Sequence, residues 1–329
     1  MRKISLTMAL GAAVIAAFSL NVAAQSYPEK PIRLVVPYPP GGIDPYARVM
    51  MPKMVESLGQ QIILENRPGA NGLIGTENVV RSPADGYTIL FATTSTLVGG
   101  YLMLKSVTWD PTKDLTAIIS LFESLRTITV PASLPIRSVK ELIDYAKRNP
   151  GKLSFGSSGI GSAFHLDGEI LKEAAGIDIV HVPYKGPPQA LNDVFGGRIE
   201  MTIVTLGTAR PLEKAGKIKI LALLEPRRFA GAPDVPTFTE TVPSFEKPAS
   251  WYALFGQPAL PRPIVMRLYR ELAASLKTPE ARNWLETNLH TGVGNTPEEF
   301  AVAYKQAFEG FARSEEHTSE LQSHLNLVC

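Results

Sequence analysis

Thiols are almost absent from this chain: of 329 residues only Cys329 is a cysteine. That excludes a disulfide framework, a thiolate nucleophile and a cysteine-based metal site from the body of the sequence, which must be held together by its apolar core. Histidine is scarce as well, with five in all, and His317 and His324 fall in the same last stretch as the cysteine. The remaining His165, His181 and His290 are widely spaced and form no His-x-x-x-His pair, so neither a metal nor any other cofactor is expected. No sign of charge prevails: 33 lysines and arginines against 31 acidic residues leave a formal +2, which favours neither nucleic acid nor an anionic membrane as a partner. Repeats, heptads and low-complexity runs are also missing between the two ends.

The ends differ from the body. Arg2-Lys3 precede a mostly apolar, uncharged stretch over 4–22 that closes on Val22-Ala23-Ala24, the pattern of a secretory signal peptide over 1–24. Ser5, Thr7, Gly11, Ser19 and Asn21 dilute that stretch too much for a membrane anchor. Residues 313–329 are polar, lack apolar periodicity and interrupt a helix that starts near Ala303. They read like the in-frame translation of a sequencing adapter, and carry no part of the functional argument.

Between these ends, apolar strand patterns alternate with amphipathic helical ones. Strands are expected over 32–36, 61–65, 87–92, 115–122, 127–130, 153–156, 177–182, 201–204 and 218–224, and helices over 45–58, 72–81, 138–148, 162–175 and 188–195. Alternation of this kind implies an α/β fold with mainly parallel sheets flanked by helices. The strand-loop-helix theme starts afresh after Pro135, and a proline-rich excursion over 227–248 precedes an apolar run over 251–255. Two lobes are therefore expected, one from 25–125 plus 251–312 and one from 126–250, with a ligand cleft between them.

Two loops carry the candidate chemistry. Pro37-Tyr38-Pro39-Pro40-Gly41-Gly42 follows a buried strand and opens a helix, the place where ligands sit in open α/β sheets. Gly41 and Gly42 would let backbone N–H groups approach an anion beside a helix N-terminus, though the same glycines would also serve a tight strand-to-helix connection. In the second lobe, Gly156 to His165 holds the equivalent place, with Ser162 as a natural helix N-cap. Thr93-Thr94-Ser95-Thr96 is a third candidate rim, and Tyr184, after another strand, could close one side of a pocket.

Enzyme motifs are not met. The second loop has Phe164 where a dinucleotide loop would have its third glycine, and it lacks the lysine of a nucleotide-binding loop. Neither Ser157 nor Ser158 sits in Gly-x-Ser-x-Gly. A serine-type hydrolase or lyase using Ser158 and His165 nevertheless stays an alternative, as does a sensor that presents its ligand to a membrane kinase.

Several long segments, in order, resemble one family. They are PEKPIRLVVPYPPGG (28–42), ENRPGANGLIGTENV (65–79), DGYTIL (85–90), SSGIGSAFHLDGE (157–169), HVPYKG (181–186) and AGKIKILAL (215–223). They are similar to the Bug-type periplasmic receptors of tripartite tricarboxylate transporters. The resemblance implies a two-lobed periplasmic-binding-protein fold of type II that closes on a small carboxylate, acts as a monomer and is not an enzyme. It also implies delivery to a membrane permease. Its binding residues would be Tyr38, Gly41, Gly42, Asp44 and Ser95 from one lobe, and Ser158, Gly161, Ser162, His165 and Tyr184 from the other, with Thr205 beside them. Two departures stand out. Only Ile43 separates Gly42 from Asp44, where many relatives have two residues. Ile203-Val204-Thr205 replaces a Phe-Asp-Asn whose aspartate could neutralise a ligand amine, which implies a di- or tricarboxylate or an aromatic acid without an amino group.

Overall fold

Four of the five side chains of β1 (Ile32–Val36) are buried, the pattern of a strand covered on both faces. It pairs in parallel with β2 (Ile62–Asn66) and β3 (Thr88–Thr93). The protein is described by a computed structural model covering residues 27–41, 43–101, 107–247 and 249–309. The signal-peptide reading over 1–24, the tail over 313–329 and Gly42 lie outside the described residues.

Two sheets organise the chain. The first has the order β11-β4-β10-β3-β1-β2, with β4 (Thr116–Ser124), β10 (Trp251–Gly256) and β11 (His290–Gly292) completing it. The second has the order β7-β6-β8-β5-β9, built from β5 (Arg126–Pro131), β6 (Leu153–Ser157), β7 (Ile179–Pro183), β8 (Met201–Thr205) and β9 (Ile218–Leu223). Helices flank both sheets: α1 (Asp44–Leu58), α2 (Leu73–Val80), α3 (Val139–Arg148), α4 (Ala163–Ala175), α5 (Pro187–Phe195), α6 (Leu206–Lys214), α7 (Arg262–Ser275), α8 (Pro279–Thr287) and α9 over 297–309.

The architecture is α/β as expected, but the strand directions are mixed rather than mainly parallel. β10 runs antiparallel to β3 and β4, β11 to β4, and β5 to β8 and β9. The cause is the double crossing between sheets. The chain leaves the first sheet along β4, enters the second along β5 after Leu125 alone, and returns along β10, so the outgoing and returning strands must oppose each other. Helices α6 to α8 were not expected. Gly207 and Pro211 interrupt the pattern of α6, while Pro263 and Pro279 stand in the first turns of α7 and α8, where a missing N–H costs nothing.

Each sheet is packed on both faces. Leu34, Phe91 and Phe122 meet Ala47 and Met54 of α1 and Leu268 and Leu272 of α7, while Leu90 and Phe255 meet Val79 of α2 and Phe300 and Tyr304 of α9. In the second lobe Phe155 and Ile203 pack on Leu142 and Leu171, and Val204 on Leu191 and Ala209.

His290 is an imidazole inside the aromatic nest of Tyr46, Phe122, Tyr252 and Trp284. Burial pushes its pKa from 6.5 down to about 4, and its Nδ1 has no hydrogen-bond partner. The fold thus holds the ring neutral. The stability this contributes is fully present above pH 6.5 and is lost as pH falls towards about 4, up to about 3 kcal/mol. His290→Phe should flatten that acid limb in urea unfolding at pH 7 and pH 4.5. An unchanged difference between the two pH values would contradict the assignment.

Candidate functional site

The two strand-to-helix loops face each other across a cleft of about 450 Å³, a size suited to a small molecule. On the first side, the Tyr38 hydroxyl reaches Thr93 Oγ1 at 2.7 Å and Thr96 Oγ1 at 2.5 Å, and burial holds its pKa above the usual tyrosine value. The loop is tied from beneath. Asp44 accepts from Asn66 Nδ2 at 2.8 Å and from Gly41 N at 3.4 Å, and Asn66 also donates to the Tyr38 carbonyl at 3.0 Å. Gly41 takes the left-handed conformation (φ 84°) this turn requires. Thr93, Thr94 and Ser95 line the same wall, the last at the start of a π-helical turn, Ser95–Gly100.

On the second side Ser162 caps α4 by accepting from His165 N at 3.2 Å. His165 Nδ1 in turn accepts from Gly161 N at 3.2 Å, so its ring fixes the loop from behind. That ring stacks on His181 at 4.0 Å, and His181 Nε2 meets Ser157 Oγ at 2.7 Å. Burial depresses both histidines, His181 to about 3 with His165 adding to the effect, so this tether consists of neutral rings near pH 7.

The lobes touch beside the cleft. Ser95 Oγ accepts from Ala163 N at 3.3 Å, and a Cβ on Gly99 would stand 2.2 Å from the Gly161 carbonyl oxygen. Elsewhere along the seam, a Cβ on Gly207 would stand 2.6 Å from the Asn288 carbonyl oxygen.

Of the residues singled out from the sequence, Tyr38, Ser95, Ser158 and Ser162 line the cleft. Gly41, Asp44, Gly161 and His165 support its two loops without lining it. Tyr184 and Thr205 are directed elsewhere: the Tyr184 hydroxyl donates to Asp193 Oδ2 at 2.8 Å, and Thr205 Oγ1 pairs with Thr208 Oγ1 at 2.7 Å. Gly42 is not described.

Sequence reasoning missed the floor. Ser124, Arg126, Ser250, Trp251 and Tyr252, from the two chain crossings, all line it. Arg126 is buried, with its side chain 3 % exposed; its Nη1 donates to Asp167 Oδ1 at 2.5 Å and its Nη2 to the Ala249 carbonyl at 2.8 Å. The signal was available, since Arg126 is the lone charged residue in a strand-like run of aliphatic residues and threonines from Leu125 to Val130. Asn71, held at φ 53° in the turn before α2, was missed because its role depends on that backbone conformation.

Two α/β lobes joined by paired crossings, with a hydroxyl-lined cleft between them, define a solute-binding protein. The chain belongs to the tripartite tricarboxylate transporter family of receptors, whose model matches residues 46–299. It is 33% identical over 287 residues to the "UPF0065 protein in tcbD-tcbE intergenic region" of Pseudomonas sp. strain P51, covering 86% of this chain and 85% of that one. Among solved structures it is similar to R. palustris Rpa4515 with adipate (32% identity, TM-score 0.76, 88% of this chain and 97% of that one). It is also similar to MatC from Rhodopseudomonas palustris with bound malate (25% identity, TM-score 0.72, 88% and 99%).

Proposed function

We propose that this receptor is exported to the periplasm, closes on a small carboxylate without an amino group, and hands it to a membrane permease. The observation that carries the ligand class is the charge of the lining: its charged side chains, among the described residues, are Arg126 and Lys185, both cations. Hydroxyls of Tyr38, Ser95, Ser158 and Ser162 add neutral donors, and an ammonium group would find no acidic side chain in that lining. The relatives with adipate and with malate support the same class.

The two moving bodies are 25–125 with 251–312 and 126–250, hinged at Leu125 and Ser250, where a monomer would close around its ligand. Binding without turnover is favoured by the state of His165. Its Nδ1 lone pair is used by Gly161 N, and its Nε2 faces Glu169 at 3.8 Å, which leaves it tied to the loop rather than free to activate Ser158. A thermal-shift screen tests the reading: a diacid at about 100 times its Kd should stabilise the protein by about 2.7 kcal/mol. Stronger stabilisation by amino acids than by adipate, malate or benzoate would refute it.

A further inference from the structure

The cleft has two chemically distinct ends. One is the pair of loops, rich in hydroxyls and backbone N–H groups. The other is the floor at the crossings, where Arg126 is the only charged residue among Ser124, Arg126, Ser250 and Tyr252. A guanidinium offers five N–H donors, and the protein bonds of Arg126 use one on Nη1 and one on Nη2. Its counter-ion is incompletely served: Asp167 is fully buried and its Oδ2 has no hydrogen-bond partner. An apolar pair of similar volume would hold this spot at least as well as a buried ion pair, so packing alone does not account for an arginine at the cleft wall.

We infer that Arg126 forms a second anion subsite, which takes the distal carboxylate of a dianionic ligand whose first carboxylate is held by the two loops. The inference rests on the carboxylate-receptor reading and narrows it to diacids. The planar fork of arginine suits a carboxylate, and at this depth the bond is shielded from water and screening ions. Lys185, which is exposed, lines the same cleft and adds positive charge without requiring a fixed partner. Ile43, Ile160 and Phe164 supply apolar lining for the carbon chain between the two heads.

The test is calorimetry with a matched pair of ligands, adipate and hexanoate, on three proteins. The wild type should bind adipate about 10- to 100-fold more tightly than hexanoate, the range for hydrogen bonds to a charged group. In Arg126→Gln/Asp167→Asn the pair is replaced as a neutral unit, so no buried charge is orphaned. Its hexanoate affinity should stay within about 3-fold of wild type while the preference for adipate disappears. If that variant does not fold, Arg126→Lys, which keeps the charge and loses the fork, should reduce the preference about 10-fold. Equal affinity of the wild type for both acids, or an undiminished preference in the variants, overturns the subsite. Binding of benzoate with no binding of adipate also overturns the subsite, whereas binding of none of adipate, hexanoate, malate and benzoate overturns the carboxylate reading itself.

Discussion

Gly99→Val should lower ligand affinity by about 100-fold while the melting temperature of the ligand-free protein stays nearly unchanged. The two effects separate because the obstruction lies between lobes and not inside one. A Cβ at Gly99 would stand 2.2 Å from the Gly161 carbonyl oxygen, and that oxygen is backbone, so no rotamer change can relieve the overlap. Gly99 does not have positive φ, so the substitution carries no left-handed backbone penalty. Each lobe keeps its own sheet and core. What is lost is the approach that lets Ser95 accept from Ala163 N and lets both loops reach one ligand at once. A closed form made rare by about 2.7 kcal/mol weakens apparent binding in proportion to its population, which gives the 100-fold estimate. Calorimetry with adipate checks the affinity, and small-angle scattering with adipate present checks closure. Wild-type affinity together with a fully closed radius would contradict this role for the contact.

The two loops were legible in the sequence because their signals are local. An apolar strand, a glycine-bearing turn and a helix follow one another within a few residues, and in the second loop Ser162 caps α4 as its position suggested. Their division of labour was not legible. Asp44 and His165 stand next in sequence to the lining residues Ile43 and Phe164 and have ligand-like chemistry, yet Asp44 is spent on Gly41 and Asn66, and His165 Nδ1 on Gly161. Which groups a polar side chain satisfies depends on distant partners, and Asn66 arrives from another strand. The antiparallel crossings and the floor they build were hidden for the same reason. Trp251 lies opposite Glu123 across 128 positions of sequence, a pairing that no periodicity encodes.

The largest stability effect is expected at the floor. Arg126→Met should cost about 3–5 kcal/mol at pH 8, because it leaves Asp167 buried without its cation. The pH dependence gives this loss a signature. Burial already pushes the Asp167 carboxyl up from 3.8 to about 6 with Arg126 in place, and removing the arginine raises it further. A carboxyl whose folded pKa exceeds its unfolded value contributes stability that is present below the unfolded value and is lost as pH rises through the folded one. Arg126→Met should therefore recover stability between pH 8 and pH 5, as Asp167 takes up a proton and ceases to be a buried charge. His290 works in the opposite sense over the lower part of that window, so the comparison must be made against wild type at each pH. Arg126→Met/Asp167→Leu removes both charges, and it should regain most of the loss and make the pH dependence of Arg126→Met disappear. Urea unfolding of the three proteins at pH 5, 6.5 and 8 measures this directly. A cost for Arg126→Met that is small, or that does not shrink on acidification, would mean that water reaches Asp167 and that the pair is not the buried unit described.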